Sequence, residues 1–319
     1  MDETGANILD RAIEECKAAI AASPLNADLH NNLGVLLFKK GRVGDALREC
    51  QEALRLRPGF VRARINIANA YLSRGTLDEA VDEYRGILEV EPENAEAREG
   101  LAQAYYRKGA YADAAREYLR LARLRPGDAV VRHWLASACY RQGQLVEAVG
   151  HCREAIRLSP QYIEARFSLG NIFYNNNAPR DAIREYLEIL KLDPGNYNAH
   201  VCLGVAYYRL DLARDAVREL RSAIAIRPLD SLGYTILGFA LMKIGNSDDA
   251  LAAHQEAARL NPGSAGTHYN LGDTYSKAGR VEDAIRAYKV ALSIDPDYVT
   301  HRINLEFGVE DRPWDLPRR

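Results

Sequence analysis

Along most of the chain, apolar and small residues recur at i, i+3, i+4 and i+7, the spacing that lines one face of an α-helix. The pattern comes in short segments. One segment closes at a glycine, asparagine or aspartate; the next opens beside a carboxylate and stops before a proline. Nine of the twelve prolines (Pro24, Pro58, Pro92, Pro126, Pro160, Pro194, Pro228, Pro262 and Pro296) are spaced by 34 residues. The spacing predicts eight units: 27–60, 61–94, 95–128, 129–162, 163–196, 197–230, 231–264 and 265–298. Each reads as a helix A, a turn and a helix B.

The columns of the repeat say how the two helices meet. The seventh residue is leucine or isoleucine throughout, from Leu33 and Ile67 to Leu271, a buried apolar row. The eighth is glycine or alanine, and the twentieth is alanine in all eight units, from Ala46 to Ala284. Small side chains there let the helices approach closely. Gly41, Gly75, Gly109, Gly143, Gly245 and Gly279 close helix A, where a left-handed residue is needed. Asn177 and Asp211 stand in the same column, and these are the residue types that best tolerate that conformation after glycine. Pro179 opens a helix B, where its missing N–H costs nothing. An acidic residue, from Asp45 to Asp283, occupies the first turn of every helix B, facing the positive end of its dipole.

A 34-residue helix pair with this pattern resembles the tetratricopeptide repeat (TPR) family, bacterial TPR scaffold proteins among them. The resemblance covers 27–298 and implies an all-α fold: a right-handed superhelical solenoid whose concave face is made mainly by A helices. Residues 1–26 match a helix B alone, an N-terminal half repeat. Residues 299–308 read as a capping helix and 309–319 as a flexible tail. One column departs from the family: where an aromatic is usual, the fourth residue is His30, Arg64, Arg98, Arg132, Arg166, His200, Tyr234 or His268.

Composition narrows the function. A net charge of −2 gives no global field for nucleic acid, and no apolar run is long enough to insert into a membrane. The acidic, amphipathic N-terminus lacks the basic and apolar regions of a signal peptide, so a cytoplasmic chain is expected. An excess of arginine over lysine points to a bacterial source. Five scattered cysteines show neither disulfide nor zinc spacing. Seven dispersed histidines form no HExxH, no nucleophile–base set accompanies them, and no phosphate loop is present. The chain therefore reads as a non-enzyme without cofactor or metal.

The resemblance also implies that residues 2, 5, 9, 12 and 13 of each unit line the groove. The thirteenth is basic in six of eight units, and the twelfth is often tyrosine. In the later units the second, fifth and ninth turn apolar. The candidate peptide-binding groove is Val130, Phe167, Asn171, Tyr174, Asn175, Val201, Val205, Tyr208, Arg209, Leu232, Phe239, Met242, Lys243 and Tyr269, with Arg107 and Arg141 on its basic edge. It suits a protein or peptide ligand with apolar and acidic residues. Two alternatives stand: a homo-oligomeric scaffold whose copies cover one another's patch, and the recognition module of a larger, glycosyltransferase-like enzyme. For the latter, the TPR domain of O-linked N-acetylglucosamine transferases lines its groove with asparagines. Here that sixth-residue ladder (Asn32, Asn66, Asn270 and Asn304) is interrupted by Gly100, Trp134, Ser168, Cys202 and Ile236.

Overall fold

The computed structural model describes residues 3–298. Among them run seventeen α-helices and no strand: α1 Glu3–Ala22, α2 Ala27–Lys39, α3 Val43–Leu56, α4 Val61–Arg74, α5 Leu77–Val90, α6 Ala95–Lys108, α7 Tyr111–Leu124, α8 Ala129–Arg141, α9 Leu145–Leu158, α10 Ile163–Asn175, α11 Pro179–Leu192, α12 Tyr197–Arg209, α13 Ala213–Ile226, α14 Ser231–Lys243, α15 Ser247–Leu260, α16 Ala265–Lys277 and α17 Val281–Ile294. Every even-numbered helix begins at the first residue of a 34-residue unit, and α1 is a lone helix B. The fold is an all-α solenoid of helix pairs. The capping helix and tail expected over 299–319 lie outside the described residues. No described helix is long and apolar enough to cross a membrane.

The chain divides into two compact units, residues 1–165 and 166–319, with the division inside α10. In the first, each helix packs on the next, and the A helices α2, α4 and α6 also touch in series. The second repeats this arrangement with α12, α14 and α16. The alanine column explains the close pairing, since Ala148, Ala182, Ala216 and Ala250 are completely buried. Glycine in the eighth position meets the same need. A Cβ on Gly204 would lie 2.6 Å from Leu220 Cγ, which is why an A helix can rest directly on that side chain.

The turns follow the expected chemistry. Six glycines take φ between 73° and 82°, and the two substitutes, Asn177 (φ 57°) and Asp211 (φ 65°), adopt the same left-handed conformation. Pro179 sits in the first turn of α11. Helix A starts carry an unforeseen device: the last residue of the preceding unit caps them. Asn94, Asp128, Asn196 and Asp230 each accept from a backbone N–H of the first turn, satisfying a donor that the helix leaves unpaired.

The departure in the fourth column resolves into a polar clip. Arg98 donates to Glu117 Oε2 at 2.5 Å and also to the Pro92 carbonyl that ends the preceding helix B. His30 pairs with Glu49 at 2.8 Å and with Pro24 O at 3.1 Å. His200 pairs with Glu219 at 2.9 Å and with Pro194 O at 3.2 Å. Arg64 reaches Glu83 at 2.7 Å and Arg166 reaches Glu185 at 3.3 Å. The partner is always nineteen residues on, in helix B of the same unit. Where the family usually places an aromatic, these five repeats tie helix A to helix B through one cation or imidazole, and at His30, Arg98 and His200 the same side chain also holds the previous turn.

Candidate interaction surface

The open face of each unit is set by which helical positions the neighbouring A helix covers. The second and thirteenth residues stay in water: Arg62, Glu96 and Val130, or Arg107 and Arg141, are exposed in the first unit, as are Asn198, Leu232, Arg209 and Lys243 in the second. The ninth is half-buried throughout, as at Asn69, Gln103, Val205 and Phe239. The fifth behaves differently. It is buried at several units, by the next A helix at Val201 and by the Tyr288 and Tyr298 rings at Tyr269, and this corrects two expected groove residues. Val201 is buried in a core with Tyr197, Val217, Leu220, Ile236 and Leu237, because α14 closes over it. Tyr269 is buried against Tyr288 and Tyr298 at ring distances of 5.3 and 6.3 Å. Neither is available to a ligand.

The basic row also serves the fold. Arg209 Nη1 donates to the Tyr174 carbonyl at 3.1 Å, and Nη2 donates to Asn177 Oδ1 at 3.2 Å. Lys243 Nζ donates to the Tyr208 carbonyl at 3.3 Å and pairs with Asp211 at 2.7 Å. Arg107 donates to the Leu72 carbonyl in the same way. Each cation thus caps the carbonyl end of the previous A helix, where both the unpaired acceptors and the negative dipole lie. Arg209 also stands 4.9 Å above the Tyr174 ring, and Lys243 4.6 Å from the centre of Tyr208's. Arg141 instead donates to Tyr111 Oη at 2.6 Å. The tyrosine–cation ladder is therefore a stitch between consecutive A helices, with only its outer edges left to a ligand. Asn175 is exposed on the same column.

Asn171 is similarly committed. Its Oδ1 accepts from Tyr186 Oη at 2.7 Å, as Asn69 accepts from Tyr84 Oη at 2.5 Å. An asparagine in the ninth position anchors the helix-B tyrosine, and burial pushes the Tyr186 phenol pKa up. Phe167 is half-buried against the Tyr186 ring, 6.2 Å between centroids.

What remains open and apolar in the second unit centres on α14. Leu232 is 39% exposed, and Val205, Phe239 and Met242 are half-buried around it. Behind Phe239, at 5.0 Å and edge-on, lies the buried imidazole of His254. It bonds Thr274 Oγ1 at 2.6 Å and the Thr235 carbonyl at 3.2 Å, and burial pulls its pKa down to about 4. Phe239 thus rests on a neutral, well-fixed support.

The first unit holds a feature that residue columns did not single out. Trp134 is 37% exposed on α8, beside Val130 at 46%. Its ring stacks on Tyr118 at 6.3 Å and meets the Tyr106 edge at 5.4 Å. The available signal was a tryptophan in a column otherwise filled mostly by asparagine or smaller residues. Among the described residues, no group of three or more metal-ligating side chains comes together.

A family model described as Tetratricopeptide repeat matches residues 6–60, 61–129, 167–231 and 237–299, and a second, TPR repeat, matches 136–177. The chain belongs to the tetratricopeptide repeat family. No curated protein matches it. Among solved structures, this TPR chain is similar to MamA from Desulfovibrio magneticus RS-1, from residue 41 to its end. The two are 21% identical, with a TM-score of 0.50 over 53% of this chain and 96% of that one. It is also similar to a chain of the APC/C hetero-tetramer Cut9–Hcn1, at 18% identity and a TM-score of 0.53. That match covers 95% of this chain and 59% of the other. At these identities the likeness shows the TPR fold alone. The repeats support a protein-interaction scaffold.

Proposed function

We propose that the chain is a non-enzymatic adaptor whose second unit seats an apolar segment of a partner protein on α12 and α14. The observation that carries the proposal is the composition of α14. Its second and ninth positions hold Leu232 and Phe239, where the first unit's early A helices present Asp28, Arg62, Asn69 and Gln103, and Met242 lies beside them. Leu232 is apolar and exposed, and the outer faces of the half-buried Phe239 and Met242 continue it; a contiguous apolar patch of this kind marks a site that another molecule covers. Leu232 and Met242 would anchor side chains of the partner, and Phe239 would supply a rigid ring between them. Arg209 and Lys243 flank this patch. Arg209 bonds to the Tyr174 carbonyl and Asn177, so it favours an acidic flanking residue by its field, whereas Lys243 is already paired with Asp211.

A display library of random peptides, selected on the full chain, tests this. Selected peptides should be rich in aliphatic and aromatic residues. Leu232→Glu should weaken them tenfold or more, whereas Leu187→Glu, an exposed substitution on helix B α11, should not. Peptides that bind both variants equally would place the site elsewhere.

A further inference from the structure

Five repeats close the fourth-column clip with a glutamate, at 2.5 to 3.3 Å from the cation or imidazole. The fourth repeat keeps the cation and loses the acid. Arg132 on α8 stands in the position of Arg98, and the residue nineteen further on, on α9, is His151. Arg132 Nε is buried without a hydrogen-bond partner. Arg98 Nε is buried without one too, but the Arg98 guanidinium is held by Glu117 and the Pro92 carbonyl. Among the described residues no carboxylate forms an ion pair with Arg132.

One carboxylate answers Arg132 from a distance only: the field of Arg132, behind the larger effect of the Arg157 hydrogen bond, helps lower the Glu154 pKa. His151 is half-buried, and both that burial and the field of Arg132 hold its pKa below the ordinary histidine value. Glu147 and Glu154 act on it in the opposite sense. Glu154 is engaged by Arg157 through two hydrogen bonds of 2.8 Å, so its charge is already answered. A guanidinium without its counter-ion is costly to enclose, and it presents a forked donor that matches a planar or tetrahedral oxyanion.

We propose that the fourth repeat carries an oxyanion-binding notch, in which a carboxylate or phosphate group bound by Arg132 and His151 replaces the glutamate of the sister repeats. The notch lies on the fourth and twenty-third positions of its unit, apart from the open second, ninth and thirteenth positions. It stands independently of the apolar site on α14. The oxyanion comes either from a small dissolved anion or from an acidic side chain of a partner, and the same guanidinium fork serves both.

His151 is the reporter. In the full chain, its imidazole is titrated by NMR with acetate, with inorganic phosphate and with a tetraglutamate peptide. Binding should raise its pKa by about half a unit or more, since an anion favours the imidazolium. A response to acetate or phosphate identifies a dissolved anion as sufficient. A response to the peptide alone assigns the site to a partner's acidic side chain. Arg132→Met should abolish either response. His151→Glu, which rebuilds the clip of the sister repeats, should fold, melt higher than wild type without added anion, and gain no further melting temperature from phosphate. If none of the three ligands moves the His151 pKa, or if Arg132→Met responds as wild type does, the notch binds no oxyanion. Equal phosphate stabilisation of wild type and His151→Glu would overturn it as well.

Discussion

Removing Glu117 and removing Glu83 take the same partner from the same kind of clip, yet the two should differ severalfold in cost. The Arg98 and Glu117 side chains are 10% and 8% exposed, whereas those of Arg64 and Glu83 are 36% and 28% exposed. Glu117→Ala strands a guanidinium that helices α6 and α7 keep from water. Breaking a buried pair by deleting one member costs about 3 to 5 kcal/mol. Arg98 retains the Pro92 carbonyl, which places the expected loss at the lower end, about 3 kcal/mol. Glu117 also accepts from the half-exposed Arg120, a contact worth under about 1 kcal/mol. Glu83→Ala leaves Arg64 able to reach solvent, so its cost falls in the surface-pair range of about 1 kcal/mol or less.

Solenoids unfold repeat by repeat, so a single global midpoint would blur this contrast. Native-state amide exchange reads it locally. Amides of α6 and α7 should exchange about a hundredfold faster in Glu117→Ala, and those of α4 and α5 less than tenfold faster in Glu83→Ala. Replacing both members, as in Arg98→Met with Glu117→Leu, should recover most of the loss, because the cost lies in the stranded charge. Equal changes in the two single variants, or a double variant as weak as Glu117→Ala, would refute the reasoning.

Two further outcomes follow from single residues. The His254 pKa is about 4 in the folded chain, against 6.5 for an unburied imidazole, so the unfolded state binds the extra proton first. Stability of the second unit should therefore be complete above pH 6.5 and fall by about 3 kcal/mol as pH drops toward 4, and urea midpoints across that window should flatten in His254→Leu. At Asn177, with φ 57°, glycine should stabilise or be neutral, while alanine should cost about 1 to 2 kcal/mol by thermal melting.

Much of the fold was legible because it repeats. One proline column set the unit length, and the alanine and glycine columns located the helix contacts. Asn177 and Asp211 were readable as turn residues because six sister positions are glycine. The clip was not readable in the same way. Nothing in a column of Arg, His and Tyr shows that the side chain turns back to a proline carbonyl six residues earlier. The groove was only partly readable for a related reason. Whether a fifth-column side chain meets water depends on how closely the next A helix lies against it. Val201 lost its place on that account and Tyr269 to the Tyr288 and Tyr298 rings, while Leu232, in the second column, kept its own.

The repeat also offers a way to separate folding from function that a single-copy domain does not. A side chain that makes the same contact in several units is there for the solenoid, whatever its chemistry suggests. By this measure Arg107, Arg209 and Lys243 have a role in the solenoid itself, since each caps the preceding A helix. Asn69 and Asn171 likewise each hold a helix-B tyrosine. What survives is the residue whose column is occupied but whose usual contact is missing or replaced. Leu232 takes a position that is elsewhere mostly polar and hydrated, Trp134 takes one that is elsewhere mostly small or amide, and Arg132 keeps a charge whose partner has become an imidazole. Each puts surface or charge where the fold leaves it uncompensated, and that is the condition under which binding another molecule lowers the free energy of the chain.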